Sequence, residues 1–276
     1  MNAVSADKPS SLEGRQYHIQ CKPGDLAKYL LIPGDPARIS KIIAHWNSVR
    51  EVARHREFHS FTGMYAGTPV SAISSGIGPA CMAIVVNEAS NIGVNTFIRV
   101  GSTGAIGHGI ECGDLVISSA AVRLDGTSQA YIFPEYPANA NYEVLIALIE
   151  AAESLAVRYH VGITATTSDF YVGQDRPSFT KTPSPRKQSL IRTLQRANVL
   201  NFEMECATLF TLSNLFNKRA GTVCAVYANR ITDVFDVGAG EEDAIRVANQ
   251  AVSILSRWDR CKDKSGKKHL YPGLLN

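Results

Sequence analysis

The sequence lacks the segments that direct a chain to or across a membrane. No apolar run is long enough to span a bilayer, and Met1–Ser11 is polar, without the apolar core of a secretory signal. The six cysteines include no CxxC pair and no zinc-like spacing. The net charge of only +3 over 276 residues argues against a nucleic-acid partner. We therefore predict a cytoplasmic protein with reduced thiols, binding neither membrane nor nucleic acid.

The glycine-rich stretches lack the spacing of nucleotide-binding loops. Gly76-Ile77-Gly78 has Cys81 where the dinucleotide fingerprint GxGxxG requires a third glycine. Gly101, Gly104 and Gly107 are spaced GxxGxxG, and GxxxxGK[ST] occurs nowhere. Binding of NAD or of a nucleotide in a P-loop therefore loses its main support.

The chain has 276 residues, and 45% of them are hydrophobic, which is enough to bury a full core. Segments typical of strands and helices alternate through most of it, without an internal repeat or an interdomain linker. We predict one α/β domain over residues 15–258. A polar leader at 1–14 precedes it, and a basic, solvated C-terminal tail at 259–276 follows. The Ser/Thr/Pro/Lys-rich residues 178–188 predict a mobile loop.

A predicted strand at 93–97 runs through Arg99 into glycines and hydroxyl residues. We expect the strand to end in a tight turn near Gly101, with Arg99 and Ser102 at its lip. Arginine offers a planar fork of donors that suits phosphate or carboxylate. The stretch predicts an oxyanion site or, as an alternative left open, a tight turn in which Arg99 only pairs with a surface acid.

Further polar side chains follow other predicted strands, and ligands of open α/β sheets bind outside the carboxyl ends of strands. Those residues are Gly34, Arg38, Phe170, Gln174, Arg176, Glu203, Glu205, Asn229 and Arg230. A carboxylate accepts hydrogen bonds from sugar hydroxyls, and an amide beside an arginine matches the edge of a planar heterocycle. The Glu203/Glu205 pair also suggests glycoside hydrolysis, and each carboxylate alone suits the start of a helix.

His55, Glu57 and His59 alternate, so a single strand would present all three on one face. That pattern resembles a set of metal ligands. However, it is not the helical HExxH spacing, and no further ligand cluster lies nearby. We predict no metal site here. Arg54 and Arg56 would form a basic spot on the opposite face.

Six motifs in order resemble those of the nucleoside phosphorylase I family, over about residues 15–258. They are PGDPxR at 33–38, HREF at 55–58, RVGSTGAI at 99–106, FYVGQDR at 170–176, NFEMEC at 201–206 and NR at 229–230. The resemblance implies a three-layer α/β/α sandwich with a central twisted mixed β-sheet flanked by helices. It is strongest to members that act on uridine, which implies reversible phosphorolysis of uridine to uracil and ribose 1-phosphate in pyrimidine salvage.

The resemblance also implies roles for individual residues. Phosphate, the co-substrate, would be held by Gly34, Arg38, Arg99 and Ser102, with Arg56 from a neighbouring subunit. Uracil would contact Phe170, Gln174, Arg176 and Arg230, and ribose would contact Glu203, Met204, Glu205 and the neighbour's His18. Arg99, Gln174 and Arg176 would carry catalysis, without a cofactor. Shared sites imply a dimer as the minimal unit, which in the family often assembles into hexamers.

Two residues depart from the family's usual sequence. Ser102 stands where the family often has threonine. Cys81 replaces a serine that, with the residue matching Glu57, binds a monovalent cation in some bacterial relatives.

Three other functions compete with the one that the resemblance implies. They are those of a purine nucleoside phosphorylase, a hydrolytic nucleosidase and a non-catalytic nucleoside-binding protein. Asn229-Arg230 stands where the purine enzyme has an aspartate, and the phosphate arginines would have no purpose in a nucleosidase.

Overall fold

A computed structural model describes residues 6–7, 9–11, 13–181 and 190–274. Most of the loop predicted at 178–188 and much of the predicted leader therefore lie outside the described residues. The strands are β1 (Tyr29–Pro33), β2 (Asn47–His55), β3 (Phe58–Tyr65), β4 (Thr68–Ile73), β5 (Thr96–Ala105), β6 (Leu115–Leu124), β7 (Ala138–Asn139), β8 (Tyr159–Thr167), β9 (Val199–Glu203), β10 (Arg219–Asn229) and β11 (Val234–Phe235). The helices are α1 (Arg38–Ile43), α2 (Pro79–Asn91), α3 (Gly126–Tyr131), α4 (Tyr142–Ser154), α5 (Leu190–Arg196), α6 (Cys206–Leu215) and α7 (Glu241–Ser265).

The strands form one mixed sheet in the order β11-β10-β6-β8-β9-β5-β1-β4-β3-β2, with β7 beside β6. An additional parallel pairing joins β10 to β5. The strands β5, β10, β6, β8 and β9 therefore close into a ring, because each is hydrogen-bonded to the next. Within this ring β9 runs antiparallel to β5, and this pairing positions the candidate site.

Helices cover both faces of the sheet, which confirms the predicted three-layer α/β class. On one face α1, α4 and α7 pack over strand residues such as Leu31 and Val100. On the other face α2 and α6 enclose a second core that contains Phe97 and Phe210. The two cores bury apolar side chains against opposite sides of the same strands, which explains why those strands read as continuous apolar runs.

The prediction of a tight turn after Arg99 is wrong. Strand β5 continues through Gly101, Ser102 and Thr103 to Ala105, paired with β10 along this length. The glycines serve close packing here. A Cβ on Gly101 would lie 2.7 Å from Cys224 Sγ and 2.8 Å from an Arg99 guanidinium nitrogen. Arg99 consequently sits in the middle of a strand rather than at its end.

The predicted strand carrying His55, Glu57 and His59 is a hairpin instead. Strand β2 ends at His55 and β3 begins at Phe58, with Arg56 in a left-handed conformation at φ 55°. His55 Nδ1 contacts the His18 carbonyl, whereas His59 Nε2 contacts Glu51 Oε1. The two histidines therefore face different partners. No group of three or more His, Cys, Asp or Glu side chains in the described ranges is arranged to hold a metal ion.

The position proposed as the end of the domain, 258, falls inside α7, which continues to Ser265. The buried residue Asp259 contacts Arg219, Tyr29 and the exposed Lys28, and Lys262 contacts Glu143. Residues 259–265 therefore belong to a helix that ion pairs hold in place, and not to the solvated tail that the sequence predicted. None of the helices among the described residues is long and apolar enough to cross a membrane.

Candidate active site

A cleft of about 730 Å³ opens where β1, β5, β8, β9 and β10 meet. Ten of the residues predicted for the site line it: Gly34, Arg38, Arg99, Ser102, Phe170, Gln174, Arg176, Glu203, Met204 and Glu205. Their positions span 34 to 205 in the sequence, so tertiary structure alone brings them together. Many arginines and carboxylates in one concave pocket are typical of a functional site.

Arg99 lies on the floor of the cleft between two buried carboxylates. Its Nε donates to Glu203 Oε2 at 3.0 Å, and a terminal nitrogen lies 2.5 Å from Glu205 Oε2. The alternative of a turn in which Arg99 only pairs with a surface acid is wrong, because β5 continues past Arg99 and both of its acidic partners are buried. Arg99 also faces a ligand-sized space, so the oxyanion site stays a prediction. Burial works against the charge of Arg99, but Glu205 and Glu203 more than offset it and raise the pKa of Arg99.

The acceptor positions of Glu203 are taken up by protein donors. It accepts from Arg99, from Thr166 Oγ1 at 2.5 Å, and from the backbone N–H groups of Glu205 and Cys206. Its side chain is fully buried. This geometry supports a positioning role, in which Glu203 fixes Arg99, rather than the direct ribose contact that the sequence predicted.

Glu205 has more freedom to contact a ligand. Its Oε1 accepts from the backbone N–H of Gly78 at 2.5 Å, and its Oε2 contacts Arg99. Burial raises the pKa of Glu205, and nearby Glu203 adds to the effect, while Arg99 opposes it. Met204 lines the cleft beside it. A carboxylate in this setting gains from hydrogen-bond donors such as vicinal hydroxyls, which would replace the water it has lost.

Arg38, the first residue of α1, reaches the same end of the cleft. Its Nε donates to Glu241 Oε2 at 2.8 Å, one terminal nitrogen to the Val100 carbonyl at 3.0 Å, and the other to Tyr227 Oη at 3.2 Å. Arg38 and Arg99 thus both offer donors to the cleft, which Gly34 also lines. A Cβ on Gly34 would lie 3.9 Å from Arg99. Two guanidinium groups beside a glycine backbone suit a small anion.

The opposite end of the cleft carries a different chemistry. Arg176 lies over the Phe170 ring, with 4.0 Å from Cζ to the centroid, and donates to Gln174 Oε1 at 2.5 Å. Burial lowers the pKa of Arg176 to about 10, with a further contribution from Arg230. A partly desolvated cation, an amide and an aromatic face are suited to a planar heterocycle that gains negative charge.

Three predicted residues do not line this cleft. Arg230 donates to the backbone carbonyls of Gln174 and Asp175, and its Cγ lies 3.8 Å from the position of a Cβ on the cleft residue Gly104. His18 contacts Glu88, with 2.6 Å between Nδ1 and Oε1, and lines a separate depression. Arg56 is exposed at the hairpin turn, with its Cζ 5.9 Å from the Tyr17 ring centroid.

Several residues that line the cleft are missed by sequence reasoning. They include Ile77, Tyr227, Ala228 and Phe235. Ile77 lies between Gly76 and Gly78, and this spacing by itself suggests only a dinucleotide-binding loop. Tyr227 and Ala228 lie near the end of an apolar strand, where periodicity indicates burial without indicating what the strand faces. Only the folded chain links them to the site, and Tyr227 there contacts Arg38 and Glu241.

Cys81 contacts Glu57 at the edge of the cleft, with 3.4 Å from Sγ to Oε1. Burial raises the pKa of Cys81 to about 11, and the hydrogen bond and charge of Glu57 add to the effect. The thiol is therefore protonated near neutral pH and acts as a donor to the carboxylate. A protonated thiol is a poor ligand for a hard cation.

The fold and the cleft together define an α/β protein whose cleft is lined by Arg38 and Arg99 and by Phe170, Gln174 and Arg176. Residues 28–257 match the phosphorylase superfamily, and the chain belongs to that superfamily. Uridine phosphorylase of Thermococcus kodakarensis is 55% identical over 271 residues, covering 98% of each chain. Uridine phosphorylase of Haemophilus influenzae is 37% identical, over 87% of this chain and 98% of its own. Guanosine phosphorylase of Halorubrum lacusprofundi is 34% identical, over 87% and 99%. The family predicted from the six motifs is thereby confirmed.

Proposed function

We propose that this protein catalyses the reversible phosphorolysis of uridine, giving uracil and ribose 1-phosphate. The observation that carries the proposal is that the two ends of the cleft differ in their chemistry. Two guanidinium groups stand at one end, and Phe170, Gln174 and Arg176 stand at the other. The similarity to named uridine phosphorylases supports the same activity.

The proposed chemistry needs no covalent intermediate and no cofactor, only inorganic phosphate. A phosphate oxygen forms a bond to C1′ of the ribose while the bond from C1′ to N1 of uracil breaks. The electron pair of the broken bond leaves with the base. Arg176 and Gln174 stabilise the negative charge that develops on the base, and phosphate stabilises the positive charge at C1′. Arg99 and Arg38 would hold the phosphate, with Gly34 and Ser102 beside it.

Glu205 and Met204 would hold the ribose between these two ends. Glu203 would act indirectly, because its acceptor positions are occupied by protein donors. Arg230 would support the backbone of the base-binding loop.

A neighbouring copy of the chain would complete the site, with the dimer as the minimal unit. The charge balance of the phosphate end supports this part of the proposal. Arg38, Arg99 and Lys41 contact the carboxylates of Glu203, Glu205 and Glu241. This set is close to neutral before phosphate arrives, so an extra cation would strengthen binding. Arg56 and His18 do not line their own cleft, and the proposal gives both a role at a neighbour's site.

A purine nucleoside is the second candidate substrate, because a guanosine phosphorylase is also similar. Protonating a purine would require an acid near the base. Asn229 does not supply it, because its amide donates to the Ile110 carbonyl and accepts from the N–H groups of Ile231 and Thr232. The carboxylates that line the described cleft, such as Glu205, cluster at the phosphate and ribose end. This distribution favours a pyrimidine.

The test is base release from uridine, thymidine, inosine and guanosine, each with and without phosphate, followed by liquid chromatography. We expect uracil release only when phosphate is present. Faster cleavage of inosine or guanosine would overturn the specificity, and cleavage without phosphate would indicate a nucleosidase. Tight uridine binding without any cleavage would indicate a binding protein. We also propose that residues 15–258 belong to one domain, which α7 continues to Ser265, and that the protein is cytoplasmic.

A further inference from the structure

We infer that Glu241 and Tyr227 are positioning residues that aim Arg38 at the phosphate. This inference rests on the proposed function, and it concerns two residues that no sequence motif singled out. Glu241 begins α7, and Tyr227 lies in β10, so their contact with Arg38 joins three distant parts of the chain. The three groups form what we call the Arg38 cradle: Glu241, Tyr227 and the Val100 carbonyl.

The hydrogen-bond inventory of Arg38 shows what the cradle leaves free. A guanidinium has five N–H donors in a fixed planar fork. Glu241 takes the Nε–H, and the Val100 carbonyl and Tyr227 take one donor from each terminal nitrogen. Among the described residues these are its partners, so two donors remain, and Arg38 is a lining residue of the cleft. Held on three sides and only 5% exposed, the fork can present these two donors to a ligand in one orientation.

Glu241 is itself held firmly. Besides Arg38, it accepts from Lys41 and from the Tyr227 hydroxyl, so each of its oxygens is used. Gly240 before it has φ 69°, and a Cβ there would lie 2.3 Å from the Gly113 carbonyl oxygen. Only glycine tolerates this approach, which fixes where α7 begins and hence where Glu241 projects.

Two other roles for Glu241 would give different results on substitution. As a mere anchor of α7, it would affect thermal stability without affecting phosphate affinity. As a negative charge close to the phosphate, it would weaken binding, so its removal would strengthen affinity. As a positioning residue, it keeps a charged fork in the productive orientation, and its removal weakens affinity. The sign of the change in phosphate affinity therefore separates the three roles.

The experiment titrates inorganic phosphate into the full chain by calorimetry, and measures the KM values for phosphate and for uridine. We expect Glu241→Ala to weaken phosphate affinity roughly 10- to 100-fold and Tyr227→Phe about tenfold, with the uridine KM within about twofold of wild type. Glu241→Gln keeps an acceptor oxygen and should fall between wild type and the alanine variant. The matched control is Glu242→Ala, which removes the same charge from the same helical turn but breaks only an exposed pair with His45.

Unchanged or stronger phosphate affinity in both Glu241→Ala and Tyr227→Phe would overturn the inference, as would an equal loss in Glu242→Ala. Tyr227→Phe removes a single hydroxyl, so it decides the question even where Glu241→Ala does not fold. The calorimetric readout needs no nucleoside. A wild-type chain that binds phosphate but leaves uridine intact would contradict the proposed function, while the variants would still report on the Arg38 cradle.

Discussion

Arg99 and Glu203 form a buried ion pair, with 3.0 Å between Nε and Oε2, although they lie 104 positions apart. The pairing of β9 with β5 explains this meeting. Gly104 and Phe202 are register partners in antiparallel strands, so Glu203, one residue on, comes alongside the earlier part of β5. A carboxylate at the end of one strand thus reaches an arginine in the middle of another. The orientation of Arg99 in the cleft depends on this pair.

We predict that Glu203→Gln lowers uridine phosphorolysis roughly 100-fold, because Arg99 loses its orientation. The carboxylate accepts from four donor groups, and an amide nitrogen would face some of them as a second donor. Breaking one partner of a buried pair also costs about 3 kcal/mol of unfolding free energy. Steady-state kinetics and chemical denaturation measure both effects. Glu111→Gln is the control, since its pair with Arg158 is exposed and worth at most about 1 kcal/mol.

Gly101→Ala tests whether the close packing beneath Arg99 matters for function. The added Cβ would lie 2.7 Å from Cys224 Sγ and 2.8 Å from Arg99, so the guanidinium must shift. We expect a stability loss of about 1–3 kcal/mol and a marked loss of phosphate affinity. Gly126→Ala is the control, because no atom of the described residues beyond its chain neighbours lies within 4 Å of its added Cβ. Normal phosphate affinity in Gly101→Ala would show that Arg99 does not hold the anion.

A shared site predicts complementation between two inactive chains. Arg176→Ala removes the proposed base contact, and Arg56→Ala removes the proposed contribution to a neighbour. We expect each variant alone to lose most activity, with Arg176→Ala still binding phosphate by calorimetry. Co-expressed chains carrying one substitution each would form mixed dimers with one intact site. Activity near that of the single variants in the purified mixed dimer would contradict a shared site.

Acid should weaken the cluster around Asp259. Burial disfavours its charge, but hydrogen bonds and charge from Arg219, with help from Tyr29 and Lys28, hold the pKa of Asp259 well below its usual value. A depressed folded pKa means that this stabilisation is complete above the unfolded pKa of about 3.9 and is lost as pH falls below it. Glu241, whose pKa the same kinds of contact lower to about 2, acts in the same direction.

We therefore expect the melting temperature to fall steeply below about pH 4. Asp259→Asn should lose about 3 kcal/mol of unfolding free energy at pH 7 and show a weaker acid dependence. Asp243→Asn breaks a half-exposed pair with Arg246 and should change stability by at most about 0.5 kcal/mol. Equal losses of unfolding free energy in the two variants would show that the contacts of Asp259 stabilise the protein no more than an exposed ion pair does.

Local chemistry is enough to find most of the cleft. Gly34, Arg38, Gln174 and Arg176 follow apolar segments, and their donor patterns by themselves indicate an anion and a heterocycle. The order of the motifs is specific enough to predict the family. Predictions from sequence go wrong where one local pattern is compatible with several structures. The glycines after Arg99 are equally compatible with a turn and with a tightly packed strand, and only the pairing of β5 with β10 decides between them.

Residue types and their order along the chain thus determined the α/β class, the phosphorylase family and the kinds of group that a ligand would meet. Tertiary structure decided which of those groups can still accept a ligand. Glu203 and Glu205 are the same side chain two positions apart, yet one is saturated by protein donors and the other borders the cleft with fewer partners. Hydrogen-bond capacity is used up by neighbours that are distant in sequence, such as Arg99 and Thr166, and only the folded chain places those neighbours.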